Sequence, residues 1–129
     1  MTYILDTTAY SEFYRGNNKL KKWFKLDNLI IMPMIVIGEL RAGFRAGNKL
    51  EENEKLLQRF LESPNVSPVS ISDKTTRHYG EIFVQLKKDS KPIGSNDMWI
   101  AALALEFDKP VLTMDKDFQY VKSIETIEI

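Results

Sequence analysis

The chain contains no cysteine and a single histidine, His78. Without cysteine there is no disulfide framework and no thiolate chemistry. With one histidine, neither a His/Cys zinc cluster nor a serine–histidine triad can be assembled. Ser11 and Ser95 therefore lack a base to activate them, and no GxxxxGKS or GxxxxGKT run offers a phosphate-binding loop. An excess of one charge is also missing. The 18 Lys and Arg balance 18 Asp and Glu, so no basic surplus points to nucleic acid. Long apolar runs are absent: the longest uncharged one, Leu29 to Gly38, has ten residues and contains Pro33, too short to cross a bilayer. The start, MTYILDTT, lacks the basic opening and apolar run of a signal peptide. The expectation is a cytoplasmic protein with no membrane association.

What is present is ordinary globular material. With 43% hydrophobic residues among 129, the chain can build one core and has no room for a second, so residues 1–129 are expected to form one domain. Tyr3-Ile4-Leu5 reads as a buried strand ending at Asp6. Thr7 or Thr8 suits the cap of a following helix, which Gly16-Asn17-Asn18 stops. Lys19 to Leu26 spaces its apolar residues at helical intervals. A second strand over Leu29–Met32 is closed by Pro33, and helices are expected over Met34–Arg45 and Leu50–Leu61. A third strand over Val69–Ile71 precedes a long helix capped by Ser72 or Asp73. Ser95 is the expected cap of the next helix, ahead of a fourth strand over Val111–Thr113 and a weaker fifth near Thr126–Glu128. This alternation specifies an α/β fold: a three-layer α/β/α sandwich around a mostly parallel sheet.

Four acids sit where such a fold binds ligands, beyond the carboxyl ends of the strands. Asp6 ends the first strand, and Asp115 follows the fourth, with Asp117 close behind. Asp97 lies in the first turn of its helix, and Glu39 lies within the helix that leaves the second strand. Each has an ordinary structural reading: a first-turn acid facing the helix dipole, turn residues, a solvated helix face. Asp6 is the hardest to dismiss, because a carboxylate straight after an apolar strand is nearly buried and needs a partner or a metal. Acids on four elements meeting at one edge would raise one another's pKa values, and divalent cations would relieve that repulsion. All-oxygen ligands suit Mg²⁺ or Mn²⁺ and can support phosphodiester cleavage. Strand parity puts Asp115 on the side of Thr113. If Asp115 caps a short helical turn, Asp117 falls inside that turn as a supporting acid.

The runs ILDTTAY, IGELRAGF, PIGSNDMWIAALAL and VLTMDKDF, in this order, resemble a PIN domain, and more narrowly the VapC-type toxins of toxin–antitoxin pairs. The resemblance implies an endoribonuclease dependent on Mg²⁺ or Mn²⁺, cleaving RNA, held inactive by a cognate antitoxin and usually a homodimer. It makes Asp6, Glu39, Asp97 and Asp115 the catalytic, metal-holding acids. Thr8 stands where many relatives carry Asn or Ser, and Thr113 takes the matching polar position after the fourth strand. Asn96 and Asp117 support the set. Nothing after Phe118 matches a motif.

Two alternatives differ in class. A non-catalytic PIN-like scaffold would bind RNA or protein without cleaving. An aspartyl-phosphate phosphotransfer domain also opens with a strand and Asp, but Leu5-Asp6-Thr7-Thr8 lacks the second early Asp of that chemistry. Tyr10, Phe13, Tyr14, Trp23 and Phe24 give the early helices enough aromatic surface to suggest a dimer interface there. The bland reading is that they cover the sheet.

Overall fold

The computed structural model describes residues 1–129. Five strands, β1 (Thr2–Leu5), β2 (Leu29–Pro33), β3 (Val66–Val69), β4 (Val111–Leu112) and β5 (Thr126–Ile127), form one sheet in the order β3-β2-β1-β4-β5. Every pairing is parallel, with Tyr3 opposite Ile30 and Leu5 opposite Leu112. The helices are α1 (Thr7–Tyr14), α2 (Met34–Ala46), α3 (Leu50–Glu62), α4 (Asp73–Lys88) and α5 (Ser95–Phe107), with 3-10 helices over Asn18–Phe24 and Lys116–Tyr120. This is the expected α/β fold with helices flanking a parallel sheet. No helix is long and apolar enough to cross a membrane.

β1 to β3 step outward in one direction, and β4 then returns to the other side of β1. With right-handed crossovers, that reversal puts the helices before β3 and those after it on opposite faces. Central parallel strands are covered on both faces, which is why Tyr3, Ile4 and Leu5 form an unbroken buried run instead of an alternating one. α5 is buried from Ile100 to Ala104, and its alanines allow close approach to its neighbours. α4 packs beside it, with the Tyr79 and Trp99 rings 4.0 Å apart between centroids.

Several local expectations are corrected. β3 lies at Val66–Val69, pairing with Ile30–Pro33, and not at Val69–Ile71. Pro68 lies within it, and β3 is an edge strand, where a missing N–H is tolerated. The segment after Asn17 is a 3-10 helix ending at Phe24, and Leu26 lies exposed beyond it. Asp6, not Thr7 or Thr8, holds the N-cap position of α1 and makes no side-chain cap bond. Gly94, not Ser95, holds that position for α5. Ser72 does cap α4, in a reciprocal box with Thr75.

The early aromatic residues are mostly turned inward. Phe13 and Phe24 stack with centroids 3.9 Å apart, and Phe60 of α3 meets Tyr10 edge-on at 5.3 Å. The Tyr3 hydroxyl donates to the Trp23 carbonyl. Covering the sheet therefore accounts for most of this surface, and of these residues only Tyr14 is exposed. Exposed apolar groups also sit on α4, where Phe83 and Val84 are 49% and 50% exposed.

The cap geometry yields a paired test. Ser72→Ala should lower stability by about 0.5–1 kcal/mol, whereas Ser95→Ala should change it by less than about 0.3 kcal/mol, because no helix amide depends on its hydroxyl. Urea denaturation of both variants checks this, and an equal loss would contradict the cap assignment.

Candidate active site

The winding reverses between β1 and β4, and beyond their carboxyl ends lies the crevice that such a switch point creates. Asp6 and Thr113 are the first residues past the two strands. Asp6 is 2% exposed, so its carboxylate needs local donors, and threonines supply them. The Thr8 and Thr113 hydroxyls donate to the same oxygen, Oδ2, at 2.7 and 2.6 Å. The two hydroxyls lie 3.2 Å apart, but each has one proton and spends it on Asp6. Hydrogen bonds to a charged group contribute about 1.5–3 kcal/mol each. As acceptors, the hydroxyl of Thr8 takes the Met114 N–H and that of Thr113 takes the Asp115 N–H, both at 2.9 Å. Two threonines thus join Asp6 to the loop carrying Asp115.

Asp115 caps the second 3-10 helix, its Oδ1 accepting the Asp117 N–H at 2.9 Å. This is the expected arrangement of the two acids. Glu39 lies half-buried on α2, where its Oε1 accepts the Thr7 hydroxyl at 2.8 Å. From the sequence, Thr7 is only a possible cap. The signal available was that Thr7 and Thr8 are adjacent, so α1 must point them in different directions. Asn96 is exposed in the first turn of α5, and the structure gives its side chain no hydrogen bond to this network.

Asp97 is where the acids act on one another. Its pKa is pushed up to about 7, first by burial, then by repulsion from Asp6, Asp115, Glu39 and Asp117 in that order. The helix N-terminus favours an anion by only about 0.3–1 kcal/mol, and burial with four like charges outweighs it. None of the five acids forms a salt bridge; the ion pairs of the fold lie elsewhere. No three of the side chains come close enough together to enclose one ion. The oxygen-only donor set and the uncompensated charge fit Mg²⁺, which keeps several waters and commonly takes only one or two carboxylates.

A groove of about 460 Å³ runs from Glu39 and Thr7 between α1, α2 and α3, past Tyr14, Arg15, Phe44 and Lys49. His78 stands apart on α4, its Nδ1 buried without a hydrogen bond.

The PIN domain family model matches residues 3–124. The chain belongs to the PIN domain family, VapC type. It is 31% identical over 134 residues to ribonuclease VapC1 of Rickettsia felis, covering 100% of this chain and 97% of that protein. Ribonuclease VapC1 of Haemophilus influenzae strain R2866 is 28% identical over 130 residues, covering 97% and 96%. Among solved structures, VapBC2 from Rickettsia felis bound to a promoter DNA fragment is similar with a TM-score of 0.87, at 26% identity and 98% coverage of both chains. VapBC-1 from nontypeable Haemophilus influenzae has a TM-score of 0.85, at 26% identity over 99% of this chain and 98% of that one. Membership in this nuclease-toxin family removes the phosphotransfer alternative.

In this VapC-type chain the crowded Asp97 makes stability fall with pH. Folded, Asp97 keeps its proton to about pH 7; unfolded, it gives it up near the ordinary value of 3.8. The folded state binds more protons between those values, so its stability declines as pH rises through that window. For a half-exposed group, solvent screening reduces the penalty to about 1 kcal/mol, or about 3–5 °C in Tm for a chain of this length. Asp97→Asn should therefore raise Tm by that amount at pH 8 in EDTA and leave it nearly unchanged at pH 4. A lower Tm at pH 8 would contradict the repulsion.

Proposed function

We propose that this chain, as one domain over residues 1–129, is a metal-dependent endoribonuclease, the toxin of a toxin–antitoxin pair. The observation that carries the reading is the field on Asp97: four further acids from three other segments raise its pKa, and no side-chain cation offsets them. Such crowding opposes folding, and a cation-dependent reaction gives it a use. Its VapC-named relatives are called ribonucleases, which supports RNA as the substrate.

Asp6, Asp97 and Asp115 would hold Mg²⁺ or Mn²⁺, with Glu39 completing the acidic edge. When bound, the cation supplies positive charge against the carboxylates and the scissile phosphate, and acidifies water. The chain's own groups do the positioning. Thr8 and Thr113 hold the Asp6 carboxylate in one orientation, and Thr7 does the same for Glu39. Asp97, with a pKa of about 7, can take up or release a proton at neutral pH. Asp115 repels Asp97 more than Asp117 does, which supports Asp115 as the closer acid and Asp117 as its support.

The groove that starts at Glu39 is a suitable seat for an antitoxin, since a partner lying there covers the acidic edge from one side. The solved structures of similar fold include a toxin–antitoxin complex from Klebsiella pneumoniae. A homodimer has apolar surface available in the exposed Phe83 and Val84 of α4 and in the exposed Tyr14 of the early helices. Light scattering tests the dimer, and a toxin purified from its source cells without a small bound protein would count against the antitoxin.

Cleavage of RNA by the purified chain should require Mg²⁺ or Mn²⁺ and stop in excess EDTA. Asp115→Asn should abolish it at ordinary Mg²⁺. Asp117→Asn should lose about 10–100-fold and recover partly with more metal, as expected for a supporting group. Full activity in EDTA would sink the metal requirement, and the reverse ranking in folded variants would move the closer role to Asp117. Metal-independent binding of RNA with no cleavage would favour the non-catalytic scaffold.

A further inference from the structure

Asp97 and Asp115 sit on segments that reach the site by different routes. Asp97 is in the first turn of α5, entered from α4 through residues 89–94. Asp115 opens the second 3-10 helix, which runs on into residues 120–122, where no strand lies alongside. The backbone there finds its partners in a side chain. Gln85, in the last turns of α4, donates from Nε2 to the Tyr120 carbonyl at 3.0 Å and accepts the Lys122 N–H on Oε1 at 3.1 Å. One amide thus serves both a C=O and an N–H, as a neighbouring strand would. Only a side chain that carries donor and acceptor at the same end can do this.

Further contacts reinforce the junction. Gln85 Nε2 also donates to Asp89 Oδ2 at 2.7 Å, and the same oxygen pairs with Lys122 Nζ at 3.2 Å. The Gln85 amide and then Lys122 draw the Asp89 carboxyl below its ordinary range. The Lys91 ammonium lies 5.1 Å from the centroid of the Tyr120 ring. The α4–α5 corner therefore grips the end of the segment whose start is tied to Thr8 and Thr113. Between the two anchors, Phe118 is fully buried.

We propose that Gln85 is a positioning residue: it fixes the segment from Asp115 to Lys122 against the corner that leads to Asp97, and so sets the spacing at which these acids meet a divalent cation. The spacing role rests on the metal-dependent reading above; the clamp itself does not. The structure places Gln85 at both connections at once, which a residue serving only α4 stability would not need.

The test uses the full chain with Gln85→Leu, which removes both hydrogen-bonding ends, and Gln85→Glu, which keeps the acceptor and loses the donor. Leu57→Val, in the core under α3, serves as a control for general destabilisation. Amide hydrogen exchange at Met114, Asp115 and Asp117 should quicken about 10-fold in Gln85→Leu relative to amides of β1. Mn²⁺ affinity, followed by the electron paramagnetic resonance of free Mn²⁺, should weaken about 10-fold. Gln85→Glu should move both readouts in the same direction, and Leu57→Val neither. Exchange at residues 114–117 equal to wild type, or equal to the control, overturns the clamp. Unchanged Mn²⁺ affinity with quickened exchange overturns the spacing role. A wild-type chain that takes up no Mn²⁺ overturns the metal-dependent reading and the spacing role with it.

Discussion

Negative charge gathered at one edge of a parallel sheet, with no side-chain cation to offset it, is the constraint that the rest of this structure accommodates. Local preference does not account for all of these acids. Asp6 is buried, Asp97 is repelled by four neighbours, and both arrangements oppose folding. The fold tolerates them because the strand order reverses at β1, so that β4 lies beside it and two threonines can reach Asp6 from different parts of the chain. The same hydroxyls accept backbone amides from the Asp115 loop. One compact network therefore does two jobs, keeping a buried carboxylate solvated by protein and fixing a loop.

The acids differ in how firmly they are held. Asp6 and Glu39 each take hydroxyl donors from the start of α1, and Asp115 is occupied as a cap. Asp97 has no such donor and holds a proton into the neutral range. That division would suit a positively charged ligand: the hydrogen-bonded carboxylates are set in advance, and Asp97 would give up its proton to a bound cation. It also explains why the acids need not enclose an ion on their own, since a strongly hydrated cation brings its own water ligands.

Much of this was legible in the residues. Tyr3-Ile4-Leu5 ending in Asp6 announces a buried strand with a charge at its exit, and the alternation of apolar runs fixes the α/β class and the edge where acids collect. The place of Asp117 inside the last 3-10 helix follows once Asp115 is its cap, as the structure has it. What was not legible depends on long-range geometry. Pro68 argues against a strand unless that strand is known to be at the edge. Ser95 looks like a cap until the chain path shows Gly94 in that position. The aromatic residues of the early helices suggest an open surface, because Phe60, which packs against them, lies far along the chain. The clamp made by Gln85 carries no local signal; the two backbone groups it binds are 35 and 37 residues away.

The central claim is that the carboxyl edge of β1 and β4 is a cation site. Its most direct test is an anomalous difference map from crystals grown with Mn²⁺. The account predicts a peak in contact with the carboxylates of Asp6 and Asp97, lost in Asp97→Asn. No peak at this edge, or a peak only at the acids of another surface, would contradict it.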